Sequence, residues 1–179
     1  MRTPPLTRPR PPAPIADAFQ YLNATGGQEL ESVYPYTQGK GSCAFAAGKV
    51  QPETQTTGAF NLTSGDLDEL QLKVATVGPV TVGIDANACF SAYQSGVYDG
   101  DAKPYCSDGG AASCGEDPAS LTHAVIVVGY GHDGQTGLDY WWIRNSWGAQ
   151  WGLGGYMKWA RGPKYGNFCG LATCASYPM

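Results

Sequence analysis

The chain has 179 residues, a net charge of −4, 42% hydrophobic residues and 12% aromatic residues. This length suits one domain or two small ones, and the aromatic content excludes disorder over most of the chain. The sequence contains no apolar run of roughly 18 residues that could span a membrane, and no basic patch, so neither a membrane nor nucleic acid is an expected partner.

Residues 1–14 differ in composition from the rest of the chain. They hold six of the 13 prolines and three arginines. Proline removes backbone donors and blocks helix formation, so we predict a disordered, Pro-rich leader here. A Pro-x-x-Pro ligand for an SH3-type domain is the weaker alternative.

The remaining residues, 15–179, predict a helical front portion followed by strands. A short helix is expected at 15–24, ended by Gly26-Gly27, and a second at 66–77, ended by Gly78-Pro79. The second helix places four apolar residues on one face: Leu67, Leu70, Val74 and Val77. Apolar alternation or apolar runs predict strands at 57–62, 80–85, 123–130, 139–147 and 155–160. This order predicts an α+β fold with a mostly antiparallel sheet.

The six cysteines are at positions 43, 89, 106, 114, 169 and 174. No C-x-x-C pair occurs, and the spacings do not fit a structural zinc site. An even number of cysteines in a Gly-rich domain favours disulfides and an oxidising compartment. Neither a metal nor a cofactor is therefore expected.

The sequence holds only two histidines, and one of them has a suggestive neighbour. His132 lies in the predicted turn GYGHDG and should face solvent. His123 opens the predicted strand HAVIVVGY, and Asn145 ends the next strand 22 residues later. Three tryptophans flank this asparagine: Trp142, Trp147 and Trp151. If the strands pair, the amide can orient the imidazole in a shielded pocket, as the third member of a catalytic triad does. A structural histidine is the alternative that spacing alone leaves open.

Longer motifs around these two residues carry a family resemblance. LTHAVIVVGYG resembles the active-site histidine segment of papain-like cysteine peptidases, and YWWIRNSWGAQWGLGGYMKWAR resembles their asparagine segment. The order of AFQYL, YPYTQGKGSC, VATVGPVTVGIDA and SGVY agrees, and the tail NFCGLATCASYP is similar to the cathepsin L branch. The likeness covers residues 15–179 and implies a papain-like fold, with an antiparallel sheet or barrel lobe and part of a helical lobe.

The resemblance also implies roles for single residues. His123 matches the general base and acid, Asn145 the residue that orients it, and Trp147 the indole that shields their bond and borders the substrate cleft. Four further positions match the pocket for the substrate side chain two residues before the cut, with plain core packing as the alternative: Gly83, Leu121, Ala124 and Cys174. Such a pocket would be apolar. The resemblance further implies a disulfide from Cys169 to Cys114, with Cys106 as the second choice.

The family's nucleophile motif has no counterpart in this sequence. The chemistry needs a cysteine thiolate at a helix N-terminus, in a motif like Q-x-x-C-G-S-C-W whose Gln helps to form the oxyanion hole. Gly41-Ser42-Cys43-Ala44 echoes it superficially, but Cys43 follows YPYTQGKG, where the family has a disulfide cysteine. We therefore reject Cys43 as the nucleophile. The chain is expected to be the truncated C-terminal part of such an enzyme, a sheet lobe with a remnant of the helical lobe.

These features predict a cysteine-type endopeptidase that keeps the histidine and asparagine of its triad but is inactive alone. Its expected partners are a polypeptide substrate or the missing N-terminal lobe, and a protein inhibitor. The resemblance implies the lysosome or the extracellular space. The alternative is a non-catalytic pseudopeptidase that binds peptides or a protein partner.

Overall fold

The computed structural model describes residues 15–100 and 114–179, so the predicted leader at 1–14 and Cys106 lie outside the described residues. The helices are α1 Ile15–Thr25, α2 Leu67–Thr76 and α3 Ala88–Ser91, with 3₁₀ turns at Ala47–Lys49, Pro52–Thr54 and Phe168–Gly170. The strands are β1 Gln28–Glu29, β2 Val50–Gln51, β3 Ala59–Asn61, β4 Val80–Ile84, β5 Val97–Tyr98, β6 His123–Asp133, β7 Leu138–Arg144, β8 Tyr156–Arg161 and β9 Ala175–Pro178. Within the described ranges, no helix has the length and apolar character needed to cross a membrane.

Seven of these strands form one sheet in the order β3-β9-β4-β6-β7-β8-β5. Its pairings are antiparallel except for the parallel pair β5–β8. Strands β1 and β2 pair separately. The predicted α+β layout with a mostly antiparallel sheet is therefore confirmed.

The core is built from the alternation that the sequence shows. One side of each central strand is buried, for example Val125 and Val127 on β6 and Trp141 and Ile143 on β7. Helix α2 packs over this side, and Leu70 and Val74 on its inner face are buried. The prediction that Val77 belongs to this face is wrong: α2 ends at Thr76, and the Val77 side chain is 53% exposed.

The ends of two predicted strands differ from the structure by three residues each. Strand β6 continues to Asp133, so His132 lies in the strand and not in a turn; it is exposed, and its Nδ1 is 2.9 Å from Asp139 Oδ1 on β7. Strand β7 ends at Arg144 rather than at residue 147. One further bond follows the strand, from the backbone N–H of Asn145 to Gly155 O at 2.9 Å.

A tight hairpin between β6 and β7 sets the register that the site depends on. Asp133 pairs with Leu138 at the closed end, and Ile126 pairs with Arg144 toward the open end. The Asp133 carboxylate binds Lys158 and accepts from the backbone N–H groups of Thr136 and Gln135. These donors, Lys158 first, hold the pKa of Asp133 well below its usual range. A slip of one residue would move the side chains of one strand to the other face, so this turn and the register shift between Val127 and Gly129 together govern what meets at the open end.

We predict that Asp133→Asn flattens the acid limb of the stability profile. Since the folded-state pKa of Asp133 is depressed, the carboxylate stabilises the fold above the unfolded-state pKa of about 3.9, and this contribution is lost as the pH falls through the folded value. The free energy of unfolding in urea, measured from neutral pH to about pH 2, should therefore fall less steeply below pH ~4 in the variant. The exposed Asp117→Asn is the matched control, and identical acid limbs in wild type and Asp133→Asn would contradict the prediction.

Candidate active site

The open end of the hairpin brings His123 and Asn145 into contact. His123 is the first residue of β6 and lies opposite Ile84 on β4, and Asn145 directly follows β7. Their side chains meet with His123 Nε2 2.9 Å from Asn145 Oδ1. Two residues 22 positions apart are thus joined by the pairing of the strands that carry them.

The surroundings of the amide determine which nitrogen of His123 carries a proton. Asn145 Oδ1 also lies 2.7 Å from the backbone nitrogen of Ser146. A backbone N–H can only donate, so this contact fixes the amide oxygen on the side that faces His123. Because that oxygen accepts, the imidazole must donate from Nε2. In the neutral ring Nδ1 then holds the free lone pair, and no described residue forms a hydrogen bond with it.

Trp147 covers the face of the imidazole. Its ring centroid is 4.9 Å from that of His123, with an angle of 32° between the planes, while 42% of its surface remains exposed. Asn145 beneath it is only 7% exposed. The other two tryptophans predicted to shield the pocket make no ring contact with His123: Trp151 packs against Trp147, and Trp142 stacks on Tyr156. Alternation along β7 turns Trp142 to the face opposite the core.

The Asn145 amide is held at a cost to the fold. Its Nδ2 is buried and has no hydrogen-bond partner within residues 15–100 and 114–179. An unsatisfied buried donor of this kind costs about 1–3 kcal/mol. Local violations of this kind are expected at functional sites, and this one favours a functional origin for the His123–Asn145 pair.

Two contributors to the site carry no signal in the sequence motifs. One is the backbone N–H of Ser146, which orients the amide through a contact between neighbouring residues. The other is Phe90 of α3, whose ring lies 5.8 Å from that of His123 at an angle of 62°. The segment around Phe90 has no periodicity that could place its ring there; only the fold does so.

The four predicted pocket residues lie together beside His123. Gly83 pairs with Ala124 across β4 and β6, and its N–H donates to Cys174 O at 2.9 Å. A Cβ atom on Gly83 would come within 2.9 Å of Leu121 Cδ1 and 3.6 Å of Cys174 Cβ. Leu121 therefore packs directly against Gly83, and Cys174 forms a second wall of what we call the apolar patch: Gly83, Leu121, Ala124 and Cys174. Burial raises the pKa of the Cys174 thiol, which keeps this wall uncharged.

The cysteines divide into bonded and free groups. Cys114 and Cys169 form a disulfide with a Cα–Cα distance of 4.9 Å, and Cys89 is disulfide-bonded as well. Cys43 and Cys174 are free among the described residues. Cys174 lies two strand spacings from Ala124, about 10 Å, too far for its thiol to bond His123.

Cys43 lies in a different environment from His123. It belongs to the exposed segment between β1 and β2, where Phe45 packs against Tyr21 of α1 and Ala44 N–H donates to the Tyr34 hydroxyl. None of these neighbours packs against His123. Neither free thiol of the described residues is therefore placed to serve as the nucleophile for this histidine.

Comparison with known sequences identifies relatives of this arrangement. The family described as papain family cysteine protease matches residues 14–179. Thiol protease aleurain of Arabidopsis thaliana is 41% identical over 164 residues, 92% of this chain and 41% of the relative. Pro-cathepsin H of Medicago truncatula is 40% identical over 164 residues, 92% and 42% of the two chains. Cathepsin L of Sarcophaga peregrina is 41% identical over 163 residues, 90% and 43% of the two chains. The chain thus spans less than half the length of these relatives.

Solved structures show the same fold. Digestive procathepsin L 3 from Tenebrio molitor larval midgut matches with a TM-score of 0.76 and 38% identity, over 92% of this chain and 48% of that one. The bromelain protease of Ananas comosus, in complex with the E64 inhibitor, matches with a TM-score of 0.75 and 33% identity, over 92% and 68%. The predicted papain-like fold and the cathepsin L-like resemblance are confirmed, and the resemblance extends to a cathepsin H precursor.

We predict that Trp147→Leu loosens the bond between His123 and Asn145 without removing either partner. Exposing a shielded hydrogen bond to water should weaken it by about 1 kcal/mol, or roughly fivefold in its open fraction. Exchange of the His123 Nε2–H with solvent, followed by NMR, should accelerate by about this factor. Trp142→Leu is the control. It removes a tryptophan that lies on the face of β7 opposite the core and stacks on Tyr156, so the exchange rate should stay unchanged. Equal exchange rates in Trp147→Leu and wild type would refute the shielding.

Proposed function

The chain belongs to the papain family of cysteine proteases, and from this premise we propose that its site serves cysteine-type endopeptidase chemistry on polypeptide substrates. His123 is the general base and acid, and Asn145 orients it. One observation carries the proposal: the 2.9 Å contact from His123 Nε2 to Asn145 Oδ1, which leaves Nδ1 open for proton transfer. A relative with the same activity in its name, thiol protease aleurain, supports it.

The proposed reaction moves one proton between sulfur, histidine and substrate. A cysteine thiol gives its proton to Nδ1 of His123, and the resulting thiolate attacks the peptide carbonyl carbon. As the C–N bond breaks, Nδ1–H returns the proton to the leaving amine, and a thioester remains. His123 then takes a proton from water, which hydrolyses the thioester and regenerates the thiol. Through every step Asn145 Oδ1 accepts from Nε2–H, so the ring keeps the orientation and tautomer that both transfers need.

We further propose that the thiol is not supplied by the described residues. The placement of Cys43 and Cys174 supports this, as does the lack of a Q-x-x-C-G-S-C-W-like motif in the sequence. Because no described thiol lies beside His123, we expect the 179-residue chain not to turn over peptides alone. Loss of the nucleophile in subtilisin lowers kcat by about 10⁶.

Substrate selection is assigned to the apolar patch beside His123. Leu121 and Cys174 flank Gly83, and Ala124 lies on the neighbouring strand. These groups carry no charge, so the patch suits a hydrophobic side chain two residues before the scissile bond. Trp147, on the other side of His123, would border the residues after that bond.

A non-catalytic peptide-binding role is the second candidate. It is favoured by one observation: the apolar patch is formed among the described residues, whereas no described thiol lies beside His123. In that case His123 and Asn145 would be retained without turnover, and peptide affinity alone would remain.

The proposed activity is tested by adding what the chain lacks. Residues 15–179 would be fused to the part of Arabidopsis aleurain that lies outside the matched region. The fusion and the 179-residue chain would each be assayed with a peptidyl fluorogenic substrate that carries a hydrophobic residue two positions before the scissile bond. The fusion should hydrolyse the substrate, and the chain alone should not. His123→Ala should lower kcat of the fusion by several powers of ten, on the order of 10⁶.

The controls separate chemistry from folding. His132→Ala removes the exposed second histidine and should leave kcat unchanged. A folded fusion that binds the substrate but never cleaves it would support the peptide-binding role. Turnover by the 179-residue chain alone would contradict the proposal that its own cysteines supply no nucleophile.

A further inference from the structure

We propose that Phe90 is a positioning residue for His123, which restrains the imidazole so that Nε2 stays on Asn145 and Nδ1 stays open. The inference rests on the proposed function of this site and deepens it. No sequence motif points to Phe90, and it is neither a predicted catalytic residue nor part of the apolar patch. Its role follows from contacts among three rings.

Phe90, His123 and Trp147 each touch the other two. Phe90 lies 5.8 Å from His123 at 62° and 5.3 Å from Trp147 at 77°, and the indole lies 4.9 Å from His123 at 32°. Both contacts of Phe90 are edge-on arrangements, which aromatic pairs prefer. Phe90 is fully buried, with 0% of its surface exposed. The imidazole therefore packs against two rings, Trp147 over its face and Phe90 at an angle to it.

This packing restricts rotations of the imidazole that the hydrogen bond alone does not prevent. The outer torsion of a histidine side chain is broad and roughly two-fold, so the ring can rotate or turn over at little intrinsic cost. A single hydrogen bond from Nε2 to Asn145 fixes one edge of the ring. Packing by Phe90 and Trp147 restricts the remaining rotation, which would otherwise turn Nε2 away from the amide and put Cε1 in its place.

Hydrogen bonds at both ends of its short helix hold Phe90 in place. Before the helix, Asn87 Oδ1 accepts from the Phe90 N–H at 3.0 Å and from the Tyr98 hydroxyl at 3.3 Å. Burial raises the pKa of Tyr98 to about 12, so its hydroxyl remains a donor at neutral pH. Beyond Phe90, Trp151 Nε1–H donates to the Ser91 carbonyl at 3.2 Å. These bonds fix the backbone that carries the ring.

The test reads the tautomer of His123 directly, by ¹⁵N NMR of the 179-residue chain at alkaline pH, where the ring is neutral. The chain has only two histidines, and His132→Asn assigns their signals. Phe90→Leu keeps an apolar side chain but removes the aromatic contact. Since such a pair contributes about 0.5–1.5 kcal/mol, the ratio of Nε2–H to Nδ1–H should fall about two- to tenfold.

Phe168→Leu is the matched control. Phe168 packs in the same aromatic cluster, 5.1 Å from Trp159 and 5.8 Å from Tyr98, and makes no ring contact with His123. It should leave the tautomer ratio unchanged. If Phe90 acts through the Asn145 bond, then adding Phe90→Leu to Asn145→Ala should change the ratio no further.

Several results would overturn the proposal. An unchanged ratio in folded Phe90→Leu would do so, and so would an equal fall in Phe168→Leu, because that outcome marks general loosening of the cluster. If Phe90→Leu does not fold, two other measurements decide: nuclear Overhauser contacts between the Phe90 and His123 ring protons in the wild type, and the tautomer ratio in Phe90→Met. Observed contacts together with a shifted ratio in Phe90→Met support the role. Absent contacts, or an unchanged ratio in Phe90→Met, contradict it. The readout needs no turnover, so an inactive aleurain fusion would leave it untouched.

Discussion

The hydrogen bond between the imidazole of His123 and the amide of Asn145 is the contact on which the site depends. It exists because the β6–β7 hairpin, closed by Asp133 at the turn and shifted in register between Val127 and Gly129, brings both residues together at its open end. The Ser146 backbone N–H sets the direction of the amide. The hairpin and the Ser146 N–H both act on one quantity, the free energy difference between the two neutral tautomers of His123.

This arrangement places stability and function in opposition at one residue. Asn145 leaves its Nδ2 buried without a described partner, which costs about 1–3 kcal/mol, while its Oδ1 holds the imidazole. Sites of this kind persist when the rest of the core compensates, and the buried sheet with α2 supplies that compensation.

Alternation and capping signals predicted most of the framework, because they act within one element. The helix at 66–77 and the strand at 80–85 follow from local patterns. The contact of His123 with Asn145 is predicted only if their strands pair, and from the family resemblance. The errors arise where neighbours decide: Val77 is turned outward by the end of α2, β6 extends because β7 pairs with it up to Asp133, and Trp142 faces away because of strand alternation. Phe90 could not be predicted, since its contact with His123 joins elements 33 positions apart through tertiary packing alone.

Neutron diffraction from deuterated crystals of the chain at alkaline pH tests the central claim most directly, because it locates the exchangeable proton of His123. The account predicts a deuteron on Nε2 directed at Asn145 Oδ1, an amide with its oxygen toward both His123 and the Ser146 N–H, and a bare Nδ1. A deuteron on Nδ1 with Nε2 bare, or an amide turned so that Nδ2 faces the ring, would contradict it. In that case the chain would not present the nitrogen that thiol chemistry requires.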